Sequence, residues 1–254
     1  MRRHLAGLFT LLLIGVSGTL RAADLTVSAA ASLTNAFTEL AKLYEGANPG
    51  SRVLLNFGAS GSLLQQIARG APVDVFATAD VETMDRAQKQ NLVINETRAN
   101  FAANALVLIA PLDARVPLDA VTDLSRADVA RIGLGIPESV PAGRYAKESL
   151  EMAGLWDGLK DKYVFGQNVR QVLDYTARGE VDAGIVYLTD AEAMRNRLRV
   201  VSTLQTRSPI LYPISVVKGG GNERAARKFV ELVRSEQGLR VLQKYGFMPP
   251  RGRQ

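Results

Sequence analysis

Apolar and polar positions alternate along this chain in two rhythms that take turns. Short apolar runs with a two-residue beat read as strands, and longer stretches with apolar positions three and four apart read as helices. Leu25–Ala29 is such a strand, followed by an amphipathic helix over about 33–45 that stops in Gly46-Ala47-Asn48-Pro49-Gly50, a helix-ending and chain-breaking sequence. Strand 52–57 leads through Gly58-Ala59-Ser60-Gly61-Ser62 into a helix over 63–68; strand 73–78 leads into a helix over 81–90 that starts after Asp80. Residues 105–110 are almost wholly apolar, the signature of a strand covered on both faces, and Pro111 ends the run. A second series follows. The pattern predicts a short helix near 121–131, a strand over 132–136, a helix opened by Pro137-Glu138-Ser139-Val140-Pro141-Ala142-Gly143 and lasting to Met152, a strand over 163–165, a helix over 169–178 capped by Asn168, and a strand over 183–188. Strands 200–204 and 210–217 and two helices, 222–234 and 236–245, close the chain.

Strands alternating with helices of this length imply βαβ units: an α/β protein of mainly parallel sheets with helices on both faces. Ligands in such folds bind beyond the carboxyl ends of the strands, where helix N-termini gather. Each helix start leaves N–H groups without an internal partner and places partial positive charge there, so it receives an anion without a cationic side chain. Ser32 occupies the expected N-cap of the first helix, and Ser60 repeats the arrangement at the second. At the third such junction Pro141 has no N–H, so Ala142 and Gly143 offer the first free donors.

Composition narrows the chemistry. The 254 residues are 47% hydrophobic and 22% charged, enough for one large domain or two smaller ones. Residues 1–23, with Arg2 and Arg3 before an apolar run from Leu8 to Leu20 and Ala22-Ala23 after it, have the order of a cleavable secretory signal peptide. The run is too short for a permanent bilayer span. Loss of Arg2, Arg3 and Arg21 with the leader would reduce the formal charge from +6 to 6 − 3 = +3. No basic run interleaved with aromatics marks a nucleic-acid surface, and no nucleic-acid partner is expected. Cysteine is absent, so there are neither disulfides nor a thiol for a lipid anchor, and a free periplasmic protein is expected. The single histidine, His4, lies in the leader, which excludes Ser-His-Asp and Cys-His catalysis and the usual zinc ligand sets.

Five segments in register then carry a resemblance: Ala-Ala-Ser-Leu-Thr-Asn-Ala-Phe at 30–37, Gly-Ala-Pro-Val-Asp-Val-Phe at 70–76, Pro-Glu-Ser-Val-Pro-Ala-Gly-Arg-Tyr-Ala-Lys-Glu at 137–148, Gly-Ile-Val-Tyr at 184–187 and Lys-Tyr-Gly-Phe at 244–247. Together they resemble the periplasmic molybdate-binding proteins of ABC transporters over nearly the whole mature chain. The resemblance implies a two-lobed periplasmic binding fold with two crossovers: 24–106 plus 214–254 as the first lobe and 107–213 as the second. It implies capture of molybdate, and of tungstate, in the cleft and delivery to an ABC permease by a monomer without cofactor, not by an enzyme. The family's ligand contacts fall on Ser32 and Ser60 in the first lobe and on Ala142, Val169 and Tyr187 in the second. Where relatives often carry a serine-rich run this chain reads Gly58–Ser62, so Ser62 could share the role of Ser60. All five positions offer uncharged donors and no side chain coordinates a metal directly, which suits a fully deprotonated tetrahedral dianion; protonated phosphate would lack an acceptor. Arg144 and Arg170, close to two of the contacts, are left outside the site. Sulfate binding is the alternative, and a secreted hydrolase working through Asp74, Asp80, Asp182 or Glu138 is a remote one.

Overall fold

A computed structural model describes residues 24–250; the leader expected at 1–23 lies outside the described residues. Ten strands form two five-stranded sheets. The first contains β1 (Leu25–Ala30), β2 (Val53–Gly58), β3 (Val75–Ala77), β4 (Ala99–Asn104) and, far along the chain, β10 (Ile210–Val216), in the order β2-β1-β3-β10-β4. The second contains β5 (Leu106–Pro111), β6 (Ile132–Gly135), β7 (Tyr163–Gly166), β8 (Ala183–Tyr187) and β9 (Leu198–Leu204), in the order β7-β6-β8-β5-β9.

The sheets have one plan. β2, β1 and β3 are mutually parallel, and β10 lies antiparallel to both β3 and β4. β7, β6 and β8 are likewise parallel, and β5 lies antiparallel to both β8 and β9. Four strands of each sheet therefore run one way, as the mainly parallel expectation has it, but the fifth is reversed. The reversed strand is in each case the one by which the chain arrives from the other sheet. β4 passes to β5 through Ala105 alone, and β9 returns to β10 through 205–209.

Sheet membership changes at these crossings. Leu106 already pairs with Tyr187 in the second sheet, and Ile210 pairs with Asn104 in the first. By sheet membership, therefore, 106 belongs with the second half and 210–213 with the first. Two expectations change. The segment 121–131 is no α-helix but a 3₁₀ turn at Val121–Ser125: the Asp123 carboxylate accepts the N–H groups of Asp119 and Ala120 at its start, and the backbone is extended again at Arg126. Leu118, Leu124 and Val129, all buried, anchor this irregular segment, but their spacings of six and five residues place them on no single helical face. β4 was not foreseen because Ala-Asn-Phe-Ala-Ala-Asn has no β-branched residue; its pairing with β10 makes it a strand.

Helices α1 (Thr34–Ala47), α2 (Ser60–Ala68) and α3 (Val81–Lys89) follow the first three strands, and α4 (Pro141–Met152), α5 (Val169–Ala177) and the short α6 (Leu188–Ala193) follow β6, β7 and β8. The last helices, α7 (Glu223–Arg234) and α8 (Glu236–Lys244), return to the first sheet. α7 buries Ala226, Phe229, Val230 and Val233, one stripe at helical spacing. Phe229 meets Phe37 and Tyr44 edge-on at 6.0 and 5.6 Å, and the chain beyond α8 is tied down by two backbone hydrogen bonds between Ala103 and Met248.

Candidate functional site

The carboxyl ends of β1, β2, β3, β6, β7 and β8 converge on one narrow, tightly closed cavity of about 10 Å³. Ser32, Ser60, Ala142, Val169 and Tyr187 all line it, so five positions scattered over 156 residues come together around one cavity. All five are buried.

The local chemistry differs in part from expectation. Ser32 is not an N-cap: β1 runs into a 3₁₀ turn at Ala31–Leu33, Ser32 lies inside it, and α1 is preceded by Leu33 without a side-chain cap. Its hydroxyl is therefore free for other partners and lies 3.0 Å from the Tyr212 hydroxyl, which accepts a hydrogen bond from Asn104 Nδ2 at 3.1 Å. Burial holds the Tyr212 phenol well above its ordinary pKa, so it stays protonated. Asn104 donates to Tyr212, and either hydroxyl of the Ser32–Tyr212 pair can donate to the other; when Tyr212 donates, the Ser32 proton is left for an acceptor in the cavity. Local pattern carries no signal for Tyr212 or Asn104, since the two are brought together by β4–β10 pairing.

Ser60 is the first residue of α2, and its Oγ accepts the Ala79 N–H at 3.1 Å, so its proton too is directed elsewhere. Ser62 does not line the cavity. In α4, the Gly143 N–H is not a free donor as expected, because it bonds to Val140 O at 2.9 Å. The glycine serves packing instead: a Cβ there would lie 2.1 Å from Gly135 O, so α4 rides directly on β6. Asn168 caps α5 as expected, its Oδ1 accepting from Gln171 N at 3.1 Å. Tyr187, at the end of β8, donates its hydroxyl to Ala79 O at 3.1 Å, and burial keeps this phenol protonated as well.

Among the described residues, the backbone N–H groups of Ser32, Ser60, Ala142 and Val169 make no hydrogen bond within the chain. Four unpaired amides and two serine hydroxyls thus surround one small volume, and none of the thirteen residues lining it is charged. A buried unpaired donor costs about 1–3 kcal/mol, so this concentration of donors calls for a ligand rich in acceptors. Further contacts join the two halves around the cavity: Gly61 N–H donates to Ser139 O at 3.0 Å, and Arg170 donates to Asn35 Oδ1 and Ser32 O at 3.2 and 3.4 Å. Arg170 also lies 2.6 Å from the fully buried Asp190, whose carboxyl burial pushes up in pKa against the pull of that guanidinium.

The carboxylates weighed for hydrolysis have other work. Asp74 accepts from Thr26 N and Asn222 N, Asp182 accepts from Ala130 N and Arg131 N, and Asp80 caps α3. Glu138 is exposed, and none of the four lines the cavity.

Residues 25–248 match the family described as bacterial extracellular solute-binding protein. The chain belongs to that family. It is 39% identical over 225 residues to the putative ABC transporter substrate-binding lipoprotein YvgL of Bacillus subtilis, spanning 88% of this chain and 85% of that one. It is 37% identical over 232 residues to the molybdate-binding protein ModA of Haemophilus influenzae, spanning 89% and 90%. Among solved structures, the substrate-binding domain of a putative molybdenum ABC transporter from Clostridium difficile superposes with a TM-score of 0.67 at 38% identity, over 89% of this chain and 99% of that one. This solute-binding family accounts for two sheets built to one plan with a cavity between them.

Proposed function

We propose that this protein captures molybdate, and equally tungstate, between two lobes and delivers it to the membrane permease of an ABC transporter. The lobes on this reading are 24–104 with 210–250 and 106–204, hinged at Ala105 and at 205–209. One observation carries the reading: four unpaired backbone N–H groups and two hydroxyls converge where no charged side chain enters. A tetrahedral dianion has acceptors on every face and no proton to place. Ser32, Ser60, Ala142 and Val169 supply six donors, and Tyr187 adds a seventh by turning its proton from Ala79 O to the anion. Hydrogen bonds to a charged group contribute about 1.5–3 kcal/mol each. Micromolar affinity requires about 8 kcal/mol, so six suffice even at the low end, whereas at that figure the four donors of the first lobe and the two of the second each fall short. Closure and capture are therefore one event. A cleavable leader, a periplasmic location and a monomeric state complete the proposal, supported by the Arg-Arg-apolar-Ala order at 1–23.

The absence of a carboxylate in the lining sets specificity. Phosphate that retains a proton needs an acceptor, and no carboxylate lines the cavity to provide one. Calorimetric titration of the purified protein checks this. Molybdate and tungstate are expected to bind at micromolar or tighter concentration, and phosphate not measurably; the sulfate titration ranks the alternative oxyanion against them. Heat with phosphate and none with molybdate would overturn the assignment.

A further inference from the structure

Arg144 follows Ala142 by two positions in α4, yet it does not line the anion cavity. Its guanidinium crosses to the other half of the molecule, where one terminal nitrogen donates to both Asp80 Oδ2, at 2.5 Å, and Thr83 Oγ1, at 2.9 Å, while Nε lies 3.4 Å from Glu82 Oε2. The other terminal nitrogen donates at 3.3 Å to Pro137 O of its own half, which holds the side chain in its crossing direction. Asp80 is almost fully buried, its side chain 3% exposed, and Arg144 is its ion-pair partner among the described residues. The neighbouring Ala79 lines the cavity, so a bare Asp80 carboxylate would stand close behind any bound anion and repel it.

We propose that Arg144 is the clasp of the closed form: a positioning residue that never touches the anion but ties the lobes together and neutralises Asp80 behind it. The inference rests on the anion-capture reading above. When the cleft opens, Asp80 meets water and needs no counter-charge; on closure it is buried, and besides the Thr83 N–H that it caps within its own lobe, Arg144 from the opposite lobe supplies the charge that offsets that burial. Arg144 thereby sets the balance between open and closed forms. A ligand that binds only the closed form has its apparent affinity scaled by the closed population, so loss of the clasp weakens every anion by one common factor.

The test is a set of titrations of wild type, Arg144→Gln, Arg144→Lys, Asp80→Asn and the double variant Asp80→Asn/Arg144→Gln with molybdate, tungstate and sulfate, joined by stopped-flow dissociation. Arg144→Gln is expected to raise Kd about tenfold, almost all of it in a faster off-rate, since truncating a buried charge pair acts on koff. The ratios among anions stay those of wild type, and Arg144→Lys recovers part of the loss. The double variant is expected to be no worse than Arg144→Gln alone, because the unpaired charge is gone. An unchanged Kd and off-rate in Arg144→Gln would overturn the clasp, and so would a loss confined to one anion, which would place the guanidinium on the ligand. A wild-type protein that binds sulfate but not molybdate would overturn the molybdate reading instead, and the variants compared on sulfate would still decide the clasp. The melting temperature of the anion-free Arg144→Gln protein is expected to match wild type, because the contact is absent from the open form; a matching fall in stability would overturn the clasp in favour of a fixed structural ion pair.

Discussion

Gly61→Ala is expected to weaken molybdate binding about tenfold to a hundredfold while making the anion-free protein slightly more stable. A Cβ on Gly61 would stand 2.7 Å from Ser139 O and 2.9 Å from Ser139 Cα, both backbone atoms of the opposite half. Backbone does not yield as a flexible side-chain end does, and forced overpacking of this kind costs about 1–3 kcal/mol. That cost applies only where Gly61 N–H meets Ser139 O, in the closed arrangement. In the open form the same residue is simply a glycine in α2, where alanine is the better helix former by up to about 1 kcal/mol. Affinity and melting temperature should therefore move in opposite directions. Calorimetry with molybdate and thermal unfolding without it check both; unchanged affinity would mean that the bound form does not bring these two backbones together.

Ser32→Ala is expected to raise the molybdate Kd about 10- to 150-fold, the loss of one charge-assisted hydrogen bond of about 1.5–3 kcal/mol. The anion-free protein should lose no more than about 1 kcal/mol, the net worth of a neutral hydrogen bond, because Tyr212 keeps Asn104 as partner. Had Ser32 been a helix cap, the order would be reversed, with stability suffering at least as much as binding. Titration and thermal unfolding of the same variant separate the two roles, and equal damage to both would make Ser32 a packing residue.

How much of this was legible in the sequence depends on how local each feature is. Asn168 could be recognised as a cap because cap and helix are adjacent in the chain, and α7 because its apolar stripe is written within twelve residues. The five positions around the cavity were assembled through the resemblance, with βαβ alternation explaining why the carboxyl ends of strands should gather them. What escaped was long-range. β4 is a strand because β10, more than a hundred residues later, pairs with it, and the reversal of β5 and β10 follows from where the chain crosses between sheets. The segment 121–131 forms only a 3₁₀ turn at 121–125, opened by the Asp123 carboxylate, because its buried anchors Leu118, Leu124 and Val129 do not share one helical face. The Asn104–Tyr212–Ser32 relay joins residues 180 positions apart, and the Arg144–Asp80 contact joins residues 64 apart. Nothing in local pattern pairs them. Ser32 and Gly143 were misjudged for the opposite reason: local rules for caps and free helix donors were applied where a 3₁₀ turn and a close helix–strand approach prevail.

The central claim is that amide and hydroxyl protons alone hold a doubly negative tetrahedron between the two sheets. Anomalous diffraction at the molybdenum absorption edge, from crystals grown with molybdate, locates the metal atom without reference to any assumed pose. The account predicts a single strong peak enclosed by Ser32, Ser60, Ala142, Val169 and Tyr187, with oxygens facing the four backbone N–H groups. A peak resting on arginine or lysine side chains outside that cavity would contradict it.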